Sequence, residues 1–247
     1  MEEARRYYGS IDVIIHSAAY YGGIGINKKE PATIFYKNIQ MALNVFEAAK
    51  AHGVQKVLPI GSACAYPGKL TGDLKEEDFW EGKLHESVEA YGISKKIQQV
   101  GQQAYYNQYG ITSNHLILTN LYGPYDVFNE YRSHVLSALI KKFTEATDTV
   151  YLWGDGSPIR EFMYVDDAAE AITRTIAMDH DLQPINIGTG EGVSIRELAS
   201  KIQKVTGFEG RVDWDTSMPN GVHRKVLDTT RMQQLFSWQP QVSLDEG

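Results

Sequence analysis

The sequence predicts an α/β fold, a doubly wound parallel sheet with a smaller C-terminal substrate-binding lobe. Three observations carry this reading. Short apolar runs of strand character alternate with helix-period segments through residues 1–118, the order that builds parallel sheets. Each helical segment bears one apolar stripe, as a helix covering a sheet does. With 247 residues, 43% hydrophobic and 22% charged, the chain is long enough for one large domain or a domain with a lobe.

The elements follow in order. Ile11–His16 reads as a buried strand, and Tyr20–Gly25 as a glycine-rich loop. Pro31 opens a helix, since proline suits a first turn. Its stripe is Ile34, Met41, Ala42, Val45, Phe46 and Ala49, and it stops near Gly53. Lys56–Gly61 is the next strand, with Pro59 an anomaly because proline gives no ladder N–H. Residues 62–89 form a long irregular loop, the kind that carries function. A polar helix from about Tyr91 ends at Tyr109-Gly110, and Thr112–Leu118 is another strand.

In the second half, a helix over 132–146 carries Val135, Leu136, Leu139, Ile140 and Phe143. A strand over 149–153 ends in the turn Trp153-Gly154-Asp155-Gly156. Asp166 and Asp167 read as caps of a helix running to about Met178. Pro184–Gly188 is a strand, and Ser194 starts a helix with Ile195, Leu198, Ala199, Ile202 and Val205 inward. This places a dinucleotide-binding domain in 1–118, with 166–188 returning to it, and the lobe in 119–165 and 189–247.

Composition excludes several functions. The formal charge is −7 without a long basic block, which argues against nucleic acid. No apolar run approaches the ~20 residues of a membrane span. Met1–Arg6 shows no apolar leader core, and Cys64 is the one cysteine, so no internal disulfide forms. The expectation is a cytoplasmic chain in a reducing compartment. No metal site is expected.

Tyr91 and Lys95 stand four residues apart and share a helix face. A phenol beside a fixed cation loses its proton more readily, which suits acid/base chemistry at a carbonyl. Alone, the pair reads as a solvated helix face, Cys64 as a small buried hydrophobe, and His134 as a structural or surface residue. Trp153 alone reads as core.

Order adds information. His16-Ser17-Ala18-Ala19 follows a strand, and Gly61-Ser62-Ala63-Cys64-Ala65-Tyr66-Pro67 ends the next. Then come Tyr91-x-x-x-Lys95, Thr119-Asn120-Leu121-Tyr122-Gly123-Pro124 and Arg160–Asp167. This series resembles the extended short-chain dehydrogenases/reductases, the NAD-dependent epimerase/dehydratase family with its Rossmann-like sheet. Cys64, two residues after Ser62, and the run Ser133-His134-Val135 resemble its GDP-L-fucose synthase group.

The resemblance implies 3,5-epimerisation and 4-reduction of a GDP-4-keto-6-deoxy-mannose with NADPH, NAD being the other possible cofactor. Ser62 and Tyr91 would hold the C4 oxygen, Cys64 and His134 would act as base and acid, and Lys95 would hold the nicotinamide ribose. It further implies that Ile60, Gly61, Ser62, Ala63, Lys95, Leu118, Thr119, Asn120, Leu121 and His134 line the cofactor. Lys142, Trp153, Arg160 and Lys225 would contact the GDP-sugar. Helices 31–52 and 90–109 would form a homodimer face.

The chain departs from the pattern at three points. No G-x-G-x-x-G lies between a first strand and a first helix, so the first βα unit is expected to be missing. The expectation is a chain cut at both ends, poorly stable alone and a weak NADPH binder. Ser17 stands where leucine is usual, and Lys142 where arginine is. Two alternatives stay open: another nucleotide-sugar epimerase, dehydratase or reductase, or an impaired fragment acting as a binding protein.

Overall fold

The computed structural model describes residues 9–129, 132–181, 183–218 and 220–247, together with Glu3 and Arg6. Most of the Met1–Arg6 segment read for a leader therefore lies outside the described residues. Strand β1 (Val13–His16) leads through α1 (Ile24–Lys29) into α2 (Pro31–Ala51), then β2 (Lys56–Pro59). Helix α3 (Glu89–Tyr109) precedes β3 (Thr112–Ser113), β4 (Leu116–Leu118) and β5 (Asn120–Tyr122). Next come α4 (Val135–Glu145), β6 (Thr149–Trp153), β7 (Ile159–Tyr164), α5 (Val165–Arg174), β8 (Ile185–Ile187) and β9 (Gly192–Ser194). The described chain closes with α6 (Ile195–Thr206), β10 (Arg211–Asp215), β11 (Arg224–Lys225) and α7 (Thr230–Phe236).

The first sheet is parallel. β2 pairs with β1 and β3, an Ile60–Leu116 bridge continues it to β4, and β4 pairs with β8. Helices α2 and α3 pack on one another, with Phe46 stacked on Tyr105 at 4.9 Å. Phe46 and Ala49 meet Val57 and Ile111 in the core beneath. A second core joins β4 and β8 to α5 and to Met232 and Phe236 of α7. The remaining strands pair as β5–β7–β11 and β6–β10, all parallel, with β9 antiparallel to β7. Their core is built from α4 and α6 through Leu136, Leu139, Phe143, Leu198 and Ile202.

Local signals explain most element ends. Pro31 occupies the first turn of α2, and Gly110 closes α3 at φ +70°, a left-handed conformation that glycine tolerates. Ser194 and Glu197 form a reciprocal capping box at α6. Pro59 sits where the β2 ladder lapses: Val57 pairs with Ser113, and pairing resumes at Ile60. The missing proline N–H therefore falls where the neighbouring strand breaks.

Several expectations are corrected. The strand over Thr112–Leu118 is two strands, because buried Asn114 turns its side-chain amide to the Asp179 carbonyl at 3.0 Å. The glycine-rich loop ends earlier, with α1 starting at Ile24, and residues 62–89 contain three short 3-10 turns. Asn38 lies in the buried stripe of α2, whereas Val205 of α6 is 79% exposed. Asp166 and Asp167 do not cap α5, whose N-cap is Tyr164 without a side-chain cap bond. Instead, Asp167 Oδ2 accepts from the N–H groups of Gln241 and Val242, at 3.1 and 2.9 Å, and holds the C-terminal segment against α5.

Asp167→Ala should leave those two part-buried amides without their acceptor, at a cost of about 1 kcal/mol. Hydrogen exchange should show Gln241 and Val242 losing protection while α3 keeps it. Unchanged protection at both amides would remove this role from Asp167.

Candidate active site

Strand β2 ends at Ile60-Gly61, and the chain turns at once into the 3-10 turn Ala63–Ala65. Ser62 caps that turn, its hydroxyl accepting from the Cys64 N–H at 3.2 Å. The Ser62 side chain also shares a hydrogen bond with the Tyr91 phenol. Tyr91 comes this close because Gly92 follows it. A Cβ there would stand 2.7 Å from the Cys64 carbonyl oxygen and collide with Leu84 Cδ2. One glycine thus lets α3 press onto the turn that holds Ser62 and Cys64.

Lys95, one turn further along α3, is 2% exposed and donates to the Ile60 carbonyl at 2.7 Å. Its Nζ lies 5.8 Å from the Tyr91 ring centre. Burial lowers its pKa to about 8. Burial also pushes the Tyr91 phenol up, with Cys64 adding to the rise and Ser62 opposing it. The expected acidification of Tyr91 by Lys95 is therefore corrected. In the free protein, desolvation outweighs the cation and Tyr91 keeps its proton.

Two cations face Cys64 from other elements. Lys225 Nζ of β11 lies 3.5 Å from Cys64 Sγ, and the Arg160 guanidinium of β7 interacts with the thiol electrostatically. Next to Arg160, Glu161 is wholly buried. Its Oε1 accepts from Thr189 N at 2.6 Å and Gly190 N at 3.0 Å, and its Oε2 from Leu227 N at 2.7 Å. This carboxylate, not singled out in the sequence, ties β7 to the segment leaving β11.

His134 is the N-cap of α4, and burial lowers its pKa to about 4. Its Nε2 is buried without a partner among the described residues. The ring stacks on Tyr21 at 4.3 Å, and Tyr21 lies 5.6 Å from the Tyr91 ring. Tyr21 therefore joins two groups that the sequence reading kept separate; its place after β1 in the glycine-rich loop was the available signal. His16 and His115, whose pKa values burial lowers to about 4 and about 3, both feel the charge of Lys95.

The other candidates are placed as follows. Gly61 donates to the Leu116 carbonyl at 2.6 Å, and Leu118 ends β4. The side chains of Thr119 and Asn120 both donate to the Glu161 carbonyl, at 3.2 and 2.8 Å. Leu121, in β5, packs against the core of β4 and β8. Lys142 Nζ donates to the Tyr151 carbonyl at 2.7 Å, and Trp153 is 65% exposed at the end of β6. A small cavity beside Cys64 is lined by Ala63, Tyr66, His85 and Lys225. A larger one, about 550 Å³, lies elsewhere, between β9, α6 and residues 239–245. Among the described residues no cluster of three or more His, Cys, Asp or Glu side chains is arranged to hold a metal, and no helix is long and apolar enough to cross a membrane.

Residues 2–188 match the NAD dependent epimerase/dehydratase family. The chain belongs to this family. It is 40% identical over 250 residues to a GDP-L-fucose synthase of Escherichia coli (strain K12), covering 96% of this chain and 78% of that one. A GDP-6-OMe-4-keto-L-xylo-heptose reductase from C. jejuni superposes with a TM-score of 0.89 at 25% identity, covering 99% of this chain and 82% of that one. A GDP-L-fucose synthetase from Naegleria fowleri bound to NADP gives 0.86 at 28% identity, covering 95% and 73%.

The residues fit the dinucleotide of this family. Lys95 is a buried ammonium with one carbonyl acceptor among the described residues, which leaves N–H donors for a ribose diol. His16 adds a buried Nε2 without a partner among the described residues beside it.

Two predictions follow from this geometry. Gly92→Ala should part α3 from the Ser62 turn and lower kcat/KM by about 10- to 100-fold, a misplacement effect, with about 1–3 kcal/mol of stability lost. Unaltered kinetics would deny the close approach its importance. The second concerns His115, which is fully buried with both ring nitrogens unpartnered among the described residues. Its folded pKa lies below the unfolded value, so the unfolded state binds the extra proton first. Stability is thus complete above pH 6.5 and falls as pH drops toward about 3. His115→Phe should flatten that loss, by at most about 1.4 kcal/mol per pH unit. Urea midpoints at pH 7 and pH 5 should differ less in the variant; equal differences would count against it.

Proposed function

We propose that this chain is an NADPH-dependent GDP-sugar epimerase-reductase of the GDP-L-fucose synthase type, acting on GDP-4-keto-6-deoxy-mannose. One observation carries the reading: a thiol, a hydroxyl and a phenol meet at one turn, with two cations facing the thiol. Epimerisation next to a ketone needs a base, an acid for the opposite face, and donors for the developing enolate oxygen.

Cys64 is the base, with Lys225 and Arg160 facing its sulfur. His134 is the acid; since burial keeps it neutral, it offers the N–H of a neutral imidazole. Ser62 and Tyr91 hold the C4 oxygen. Tyr91, protonated in the free site, gives its proton to that oxygen as the alcohol forms. When bound, NADPH supplies the hydride. Lys95 holds its ribose and replaces charge near Tyr91, with Ile60–Ala63 and Leu118–Leu121 lining the same side. Arg160, Lys225, Lys142 and Trp153 serve the GDP-sugar.

The likeness to a heptose reductase keeps a second substrate in view, a GDP-4-keto-heptose. A binding protein without turnover fits less well, because Ser62, Tyr91 and Lys95 are assembled together. The nucleotide lobe takes 1–118, with 166–188 returning to it, and the sugar lobe takes 119–165 and 189–247. Exposed Phe35, Tyr36 and Leu43 on α2 and Val100 on α3 support a homodimer through these two helices. A cytoplasmic setting suits a lone free thiol.

The assay supplies GDP-4-keto-6-deoxy-mannose and NADPH and follows NADPH consumption and sugar stereochemistry. No consumption would defeat the reading, and turnover of the heptose substrate alone would favour the second substrate. Cys64→Ser should slow solvent exchange at C3 and C5 by about 100-fold or more, with reduction of the epimerised ketone changed less than about tenfold. Equal losses in both steps would take the base role from Cys64.

A further inference from the structure

We propose that Tyr21 is a positioning residue for His134, an aromatic plate that fixes the imidazole beside the Tyr91 phenol. This rests on the reading of His134 as the acid of the epimerisation.

The plate is built from several independent contacts. Tyr21 stacks on His134 with 4.3 Å between ring centres and 20° between planes. It also meets Tyr91 at 5.6 Å and 34°, so one ring bridges both. The imidazole has no hydrogen bond to its buried Nε2 among the described residues. Stacking is thus the described contact that orients the ring.

The backbone under Tyr21 is clamped. Asn38, buried in α2, accepts from Tyr20 N–H and donates to the Tyr20 carbonyl, both at 2.8 Å. The Tyr20 hydroxyl donates to Glu30 Oε2 at 2.9 Å, and the Arg132 guanidinium sits over the Tyr20 ring at 5.4 Å. On the other side, Gly22 and Gly23 lie against the segment that delivers His134. A Cβ on Gly22 would stand 3.3 Å from Arg132 Cα, and one on Gly23 3.0 Å from the Ser133 carbonyl oxygen. The glycine pair therefore lets the loop seat on residues 132–133, which places Tyr21 over residue 134.

One consequence follows from a stack of this kind. The Tyr21 ring keeps water from one face of the imidazole, which helps to hold it neutral. Tyr21 itself is 37% exposed, so a sugar ring has access to its edge.

The test compares Tyr21→Phe and Tyr21→Ala. Two readouts are taken: deuterium wash-in at C3 and C5 of the GDP-ketosugar from D2O, and the NMR titration of the His134 imidazole in the free protein. Tyr21→Phe keeps the stack and should hold wash-in within about twofold, with the His134 titration unmoved. Tyr21→Ala should lower wash-in by about 10- to 100-fold, the scale of a misplaced group, and move the titration from about 4 toward the ordinary 6.5. Tyr21→Ala with unaltered wash-in and an unmoved titration would overturn the proposal. A titration that moves in both variants would also overturn it, because the hydroxyl rather than the plate would then be acting. If the unmodified protein shows no wash-in, the function reading fails, while the titration still decides whether Tyr21 controls His134.

Discussion

The site depends on one close approach, the contact between helix α3 and the turn after β2. Backbone meets backbone at Gly92, where a single added carbon would stand 2.7 Å from the Cys64 carbonyl. This one contact sets three relations. It brings the Tyr91 phenol to Ser62, it fixes Cys64 relative to both, and one turn later it lets Lys95 reach the Ile60 carbonyl. Side chains elsewhere can adjust rotamers, but a glycine contact between two backbones cannot be adjusted without moving an element. The helix is in turn held down by the Phe46–Tyr105 stack with α2.

Burial rather than pairwise charge governs protonation in the free site. The Tyr91 phenol rises, while Lys95 and the three histidines 16, 115 and 134 fall, with desolvation the largest cause each time. The free site therefore keeps its phenol and imidazoles neutral, while Lys95, at about 8, remains an ammonium at neutral pH. Lys225 and Arg160 approach the Cys64 sulfur from β11 and β7. Protonated donors around the reacting oxygen suit enolate chemistry, where the oxygen partners carry protons.

Much of the fold was legible because its signals are local. Pro31, Gly110 and Ser194 each mark a helix end by chemistry within a turn, and the structure places the ends there. The strands β5, β7, β10 and β11 were not legible. β5 and β11 are only three and two residues long; β7 buries three successive residues, Glu161 to Met163, so it shows no alternation; β10 alternates only between exposed and half-buried positions; and Arg224 and Lys225 make a strand through pairing with β7. Asp167 read as a cap because its partners, Gln241 and Val242, lie more than seventy positions away. Tyr21 was missed for the same reason: its value comes from His134, brought near through the loop. Spacing showed that Tyr91 and Lys95 share a face, but only depth could show that desolvation outweighs the cation.

The remaining question is why cations from two separate strands converge on one thiol. Glu161 supplies a physical answer. Its carboxylate accepts backbone N–H groups from the Thr189-Gly190 turn and from Leu227, two residues past Lys225. Its own carbonyl receives the side chains of Thr119 and Asn120. One residue thus ties β7, β5, the turn after β8 and the exit of β11 into a single block. Arg160 precedes Glu161 on β7, and β11 pairs Lys225 directly with Arg160. The two cations are therefore neighbours in a register that Glu161 locks. A buried acid with satisfied oxygens is costly to disturb, because removing it strands several donors at once. The backbone positions from which the two cations reach the thiol are therefore held by this block, and moving either strand would break it.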